Sequence, residues 1–452
     1  MDAAEKRGPL FSNRALVGLT IPIILDALLA IVAGMVDSAM VSSAGEAAVS
    51  AVSLVDSLNL LFITFFAAVG IGGSVVTAQY VGSRNYAKAK ISANQLFYAA
   101  TAVATFLMAL QLPFREQILR LVYGSVEADV FENAKIYYFY TLLGFPFFAM
   151  GSASAAVLRS MGRNRQAVSI TILYNILNVI GNATLIYGFK LGVAGAAIST
   201  SISRVVYAVL GLYLAHNKQL PAHFEKLLHF RLDFDVMRRV LRIGLTQGLE
   251  NGLFQVGKLL ISSLVSSFGT VAIAANSVSF TINNIGWTII GSFGTVMLTV
   301  VGQCIGANQP QQARQYVEKF LTVASIAMVL IFGGVFVCRS YLVRLFDFGP
   351  EALEACAYYT GVSAVFSILA FYSMSFIPMS AFRAAGDIRY AVTLSVVSMF
   401  AFRVSLCFIL NAIFPQLGLM CVYIGMAVDW AFRSFMNFRR FRSGKWLHKR
   451  LI

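Results

Sequence analysis

Residues 21–41 read IPIILDALLAIVAGMVDSAMV. The stretch is apolar and long enough to cross a bilayer, which takes about 20 helical residues, yet it carries two carboxylates, Asp26 and Asp37. At about 100° per residue, the eleven steps between them return to within about 20° of the starting direction, so both acids lie on one helix face about three turns apart. An ionised group in hydrocarbon is costly, and such acids face a bundle interior or a wet cavity. This face is a candidate cation pathway.

The rest of the chain places that stretch among many like it. Of 452 residues 58% are hydrophobic and 12% charged, with a mean hydropathy of +0.75, whereas soluble domains are about a quarter charged. The expectation is an all-α, multi-pass integral membrane protein. MDAAEKRGPLFSNRA runs directly into a span too long for the apolar core of a secretory leader, so the first helix is expected to be retained. The net charge of +15 reflects loop composition rather than a nucleic-acid partner, because most Lys and Arg fall in alternate loops and at the two ends. Membrane lipids are the expected neighbours. The five cysteines (Cys304, Cys338, Cys356, Cys407, Cys421) show neither disulfide nor metal spacing. The four histidines (His216, His223, His229, His448) all fall in the central connection, from its first residue, or in the tail, which argues against a histidine proton relay. Walker, HExxH and GxSxG motifs are absent, so neither ATP-driven transport by this chain nor those hydrolytic chemistries are expected.

Twelve apolar spans can be read, at roughly 16–41, 47–79, 91–113, 134–158, 166–188, 192–216, 241–267, 270–303, 315–338, 355–382, 389–413 and 417–438. Basic residues mark every second connection: Lys6, Arg7 and Arg14; Arg84, Lys88 and Lys90; Arg159, Arg163 and Arg165; Lys218 to Arg242; Arg314 and Lys319; Arg383 and Arg389; and the tail from Arg433 to Arg450. Both termini are therefore expected to be cytoplasmic.

The longest basic connection divides the chain into an N-terminal six-helix lobe (1–216), a cytoplasmic linker (217–240) and a C-terminal six-helix lobe (241–452). Sliding one half on the other by 224 residues aligns Gly45–Lys90 with Gly269–Arg314 without a gap, and 11 of the 46 pairs are identical. The matches include Gly45/Gly269, Asn59/Asn283, Gly70/Gly294, Gln79/Gln303 and Gly82/Gly306. The same offset lays LRSMGRNRQAV (158–168) on FRAAGDIRYAV (382–392), pairing Arg159 with Arg383. This is an internal repeat, and repeats of an even number of spans run the same way through the membrane, as in many transporters. The offset also sets Asp26 opposite Glu250, giving each half one acid at a related position, while Asp37 has Ile261 as its counterpart. If the halves enclose a central cleft, Asp26 and Glu250 could flank it.

The ordered series GMVDSAMVSSAGEAAVSAVSLVDS, GIGGSVVTAQYVG, LRSMGRNRQ, LGVAGAAISTSISR, FGTVAIAANSV and VVGQCIGANQ resembles the multidrug and toxic compound extrusion (MATE) transporters over essentially the whole chain. The resemblance implies twelve transmembrane helices in two pseudo-symmetric lobes around a V-shaped central cleft, and export of small organic, often cationic, compounds in exchange for Na⁺ or H⁺. The family's first-helix acid matches Asp37, within VDSAMV. In relatives with a cation site in the first lobe, helix 5 carries LN-x-x-x-D; here the stretch is ILNVIGNATLIYG, so Asn178 matches and Asn182 replaces the acid. An amide still offers an oxygen but takes no proton, leaving Asp37 with Asn178 as the implied Na⁺ position and Asn182 and Asn175 as further oxygen donors. Glu250 looks like the helix-7 acid of a family subset, although the helix-10 acid of some relatives is missing.

The resulting expectation is a monomeric secondary antiporter of the cell membrane, without a cofactor beyond its coupling ion. A lipid-linked precursor flippase of the same superfamily is the alternative, favoured by a strongly basic cleft; a membrane-embedded enzyme or receptor is more distant. Three further features have plain expectations. Glu250 has Lys258, Arg204 and Arg403 as embedded candidate partners. Asp429 and Arg433 are spaced for an ordinary i, i+4 ion pair near the cytoplasmic end of the last span. Asp56 lies near the outer end of the second span and carries no assigned role.

Overall fold

The computed structural model describes residues 8–124, 126–227, 229, 231–449 and 451–452, among which there is no β-strand. The basic residues Lys6, Arg7 and Arg450 lie outside the described residues. Each of the twelve apolar stretches is helical. The first half contains α1 (Asn13–Ser42), α2 (Glu46–Gly82), α3 (Tyr86–Tyr123), α4 (Ala128–Leu143), α5 (Phe145–Ser160), α6 (Asn164–Asn182) and α7 (Gly192–Ala215). The second contains α8 (Phe234–Ser266), α9 (Thr270–Gly306), α10 (Pro310–Leu342), α11 (Pro350–Leu369), α12 (Tyr372–Ala385), α13 (Ile388–Ser398), α14 (Ser405–Ile413) and α15 (Met420–Arg442). Among the described residues nine helices are long and apolar enough to cross a membrane, or ten when the bent pair α4–α5 is taken as one span. The remaining two predicted spans, α8 and α15, carry too much polarity to meet that criterion.

Interruptions have local causes. The α4–α5 bend of 45° falls at Gly144, and Pro146 opens the next helix, where its missing N–H is harmless. At the corresponding break between α11 and α12, Phe371 adopts left-handed backbone geometry. Two more interruptions are π-helical turns, Ala183–Gly188 after α6 and Met399–Val404 between α13 and α14. Such turns often occur where function needs a side chain re-aimed.

Several repeated residues identified by the 224-residue offset serve the same structural purpose in both halves. Gly45 and Gly269 precede α2 and α9 at φ +105° and +90°, and Gly162 and Gly386 end α5 and α12 at φ +76° and +99°. Those angles favour a residue without Cβ. Asn59 and Asn283 are both essentially fully buried. The packing repeats too: α2 lies against α3, α4 and α5 as α9 lies against α10, α11 and α12, and α7 packs on α4, α5 and α6 as α15 packs on α11, α12 and α13.

The chain divides into two compact units, Asn13–Leu249 and the described residues up to Ser12 together with Glu250–Leu451, with the division inside α8. In the first unit α5 and α7 approach closely because both expose small residues: a Cβ at Gly151 would overlap Tyr207, and one at Gly211 would press on Ser154. The N-terminal half of α8 packs here, with Gly72 against its backbone at Val240 and Gly244. So does the connection before it: Asn94 donates to the Glu225 carbonyl at 2.7 Å and Gln95 to the Arg231 carbonyl at 2.7 Å. The predicted linker is thus packed on α3 over part of its length. In the second unit the segment before α1 docks on α10, Leu10 N donating to Gln312 Oε1 and Phe11 N to Tyr316 Oη, each at 2.9 Å. An apolar core around Val265, Val278, Cys356, Cys407 and Val422 joins α8, α9, α11, α14 and α15.

Candidate functional site

Asp37 is held against the end of α6. Asn182 Nδ2 donates to Asp37 Oδ1. Asn182 is fully buried, sits where α6 widens into its π turn, and has no hydrogen-bond partner for Oδ1. One turn earlier, Asn178 gives its Nδ2 to Thr200 Oγ1 of α7 at 3.2 Å and accepts Ser199 Oγ at its main-chain oxygen at 2.9 Å. Asn175 is half-buried in α6, and its side chain makes no hydrogen bond among the described residues.

Asp56 and Tyr137, which have no assigned role in the sequence, and Arg204, expected there only as a candidate partner of Glu250, complete this cluster. Asp56 of α2 lies close enough for its charge to act on Asp37, and its Oδ1 accepts the Tyr137 hydroxyl of α4 at 3.1 Å. Arg204 of α7, 4% exposed, supplies the positive charge felt by Asp56 and Tyr174. It is anchored by Nη1 on the Thr141 carbonyl at 2.8 Å and by the Phe145 and Phe148 rings. Neither Asp37 nor Asp56 has a cationic side chain within salt-bridge distance among the described residues. Two carboxylates, a buried amide oxygen without a donor and a hydroxyl therefore meet in one place, with a single cation held at a distance. That is a hard-oxygen donor set of the kind that accepts a small cation.

Asp26 does not belong to this cluster. Eleven residues from Asp37, it is displaced by about 16 Å along α1 and meets Thr171 of α6 and the charge of Arg159 instead. Its counterpart Glu250 has a closer partner: Arg383 Nη2 lies 2.7 and 2.9 Å from the two carboxylate oxygens. None of the embedded cations expected for Glu250 fills that position. Arg383 was placed in a cytoplasmic connection, but it stands in the last turn of α12, and its long side chain reaches back into the lobe. The 224-residue offset thus carries a pair of pairs, Asp26 with Arg159 and Glu250 with Arg383. Only the second closes to a salt bridge, consistent with the aspartate being one methylene shorter. Lengthening Asp26 to Glu is expected to close the first, adding up to about 1 kcal/mol. Glu250→Gln, which strands Arg383 in a mostly buried site, is expected to cost about 3–5 kcal/mol. Thermal unfolding of both variants in detergent measures these shifts.

The i, i+4 pair of α15 forms as expected, with Arg433 Nε and Nη2 at 2.8 and 3.0 Å from the Asp429 oxygens. It is not a peripheral pair, however. Both side chains are essentially fully buried, and Arg403 from the π turn adds a third member, its Nη2 2.6 Å from Asp429 Oδ2.

The chain is 26% identical to an uncharacterised transporter of Bacillus subtilis, YisQ, over 99% of its own length and 96% of that protein. It is 23% identical to NorM of Thermotoga maritima, a probable multidrug resistance protein, covering 96% and 93% of the two chains. Its fold matches the crystal structure of a MATE protein in the bent conformation with a TM-score of 0.88 at 20% identity, over 95% of this chain and 94% of that one. The model of the MatE family matches twice, at residues 22–184 and 248–409. The two matches fall on the two halves related by the 224-residue repeat, and together they cover well over half of the sequence. This chain belongs to the MatE family of multidrug efflux transporters.

Proposed function

We propose that this protein is a secondary antiporter of the cell membrane, with both termini cytoplasmic, that exports organic, often cationic, compounds in exchange for Na⁺ or H⁺ bound at Asp37. The observation that carries the reading is the Asp37–Asn182 contact beside Asp56: a carboxylate inside an apolar helix with no salt bridge, next to a buried amide oxygen that lacks a donor. Like charges at close quarters repel and draw in one compensating cation. Na⁺ would take Asp37 together with the side-chain oxygens of Asn178 and Asn182; H⁺ would take Asp37, since neither asparagine protonates. Asn182 stands where relatives with a first-lobe site carry an acid, and Asp56 restores the number of carboxylates from a different helix.

In this mechanism, neutralising Asp37 lowers the cost of packing α1 against α2 and α6. A cation that prefers the packed state strongly enough reverses the resting bias, and a near-complete switch takes about 5.5 kcal/mol of preference. Pro22, inside α1, removes one backbone hydrogen bond and marks where the helix bends most cheaply.

Ethidium efflux from proteoliposomes under separately imposed Na⁺ and pH gradients tests the reading. One gradient is expected to drive efflux and the other not; efflux indifferent to both excludes antiport. In the same assay Tyr137→Phe, which removes the donor to Asp56 but no charge, is expected to shift the ion concentration for half-maximal transport by about three- to tenfold while leaving the maximal rate nearly unchanged.

A further inference from the structure

The second unit contains a polar cluster of opposite sign. Asp429 is a single carboxylate between Arg403 and Arg433, and the charge of Lys258 on α8 acts on Arg403. The neighbouring acid, Glu250, is already taken by Arg383. Arginine does not lose its proton inside proteins, so the surplus cannot be relieved as that of a buried carboxylate can. Aromatic faces offset a part of it: Trp430 lies 5.4 Å from the Arg403 guanidinium, and Phe254 and Phe376 lie 4.9 and 5.5 Å from that of Arg433.

Hydrogen-bonding capacity points the same way. Arg403 Nε and the Trp430 indole Nε1 are both buried donors without acceptors. They belong to residues 8% and 3% exposed, with the Arg403 guanidinium lying over the Trp430 ring. Arg403 Nη2 lies near Asp429 without hydrogen-bond geometry. Both free groups can only donate, and unmade buried donors are costly. An acceptor carrying negative charge satisfies the two N–H groups and the surplus at once; water satisfies only the first. Lys258, exposed on α8, leaves one side of the cluster open.

We propose that Arg403 Nε and Trp430 Nε1, with Lys258 at the open side, form a binding site for a halide-sized monovalent anion in the second lobe. The site does not depend on the cation-coupling reading: it uses none of the same residues and lies in the other repeat. It gives the two halves clusters of opposite polarity, acids beside the π turn of α6 in one and arginines at the π turn after α13 in the other.

Tryptophan fluorescence tests it directly, because bromide quenches indole and two of the three tryptophans, Trp287 and Trp430, are in ring contact. Purified full-length protein is titrated with sodium bromide against sodium gluconate at constant ionic strength. A saturable quenching component superposed on the linear collisional one is expected, displaced by chloride. Arg403→Gln, which leaves Asp429 paired with Arg433, is expected to raise the half-saturating bromide concentration by about tenfold or more. Lys258→Met, a change at an exposed side chain that spares the fold, is expected to raise it less. Purely linear quenching in the wild type, or a saturable component with the same midpoint in both variants, overturns the assignment.

Discussion

The Asp37→Asn variant is expected to fold and insert as the wild type does and to exchange nothing. Asparagine keeps the size of the side chain and can keep a hydrogen bond to Asn182, so the contact between α1 and α6 survives. What disappears is the charge that a cation neutralises in the proposed mechanism. The α1 face then has the same packing energy whether or not the coupling ion is present, and an ion with no differential affinity for two states shifts nothing. Ethidium efflux driven by either ion gradient should fall to the level of protein-free liposomes, with thermal unfolding in detergent within about 1 kcal/mol of wild type, since no ion pair is lost. Asp26→Asn is the internal comparison. It removes a carboxylate from the same helix face, but one that meets Thr171 and the charge of Arg159, and it is expected to leave ion-driven efflux largely intact.

The largest loss of stability is expected at Asp429→Asn. Asp429 is fully buried, and it is the acid that holds both Arg403 and Arg433. Removing one partner of a buried ion pair costs about 3–5 kcal/mol because the other charge stays behind uncompensated, and here two charges stay behind. Arg433 has the Phe254 and Phe376 faces and Arg403 has Trp430, which offset only a part. A sharp fall in unfolding temperature in detergent, together with loss of folded protein from the membrane fraction, is the expected outcome. Arg403→Gln should be much milder, since Asp429 keeps Arg433. Equal stability of Asp429→Asn and wild type would contradict the role given to the triad.

Much of this was visible in the sequence because a repeat doubles the signal. Gly45/Gly269 and Gly162/Gly386 match at the 224-residue offset for a reason the backbone makes plain: each pair occupies the same positive-φ corner in its own half. The contact between Asp37 and Asn182 was legible from family resemblance. Asp56, Tyr137 and Arg204 were not, because they come from α2, α4 and α7, and helical periodicity describes a face without saying which neighbour covers it. The partner of Glu250 is also encoded in the repeat. Asp26/Glu250 and Arg159/Arg383 are both repeat pairs, and their joint recurrence is a signal of contact that the placement of Arg159 and Arg383 in basic connections hides. The orphan donors near Arg403 depend on side-chain angles at a π turn, which no spacing in the sequence encodes. The packing of Leu10 and Phe11 on α10 is likewise a long-range contact of a short segment with no periodicity of its own.

In the proposed mechanism a small cation and the exported compound exchange through the carboxylate at Asp37. Proteoliposomes loaded with ethidium and diluted into dye-free medium, with no ion gradient imposed, reveal such exchange when Na⁺ uptake and internal pH are followed together. Outward movement of ethidium is expected to draw one of the two cations inward, and this coupled entry is expected to be absent from Asp37→Asn. Ethidium leaving with neither cation entering, or coupled entry unchanged in Asp37→Asn, would contradict that mechanism.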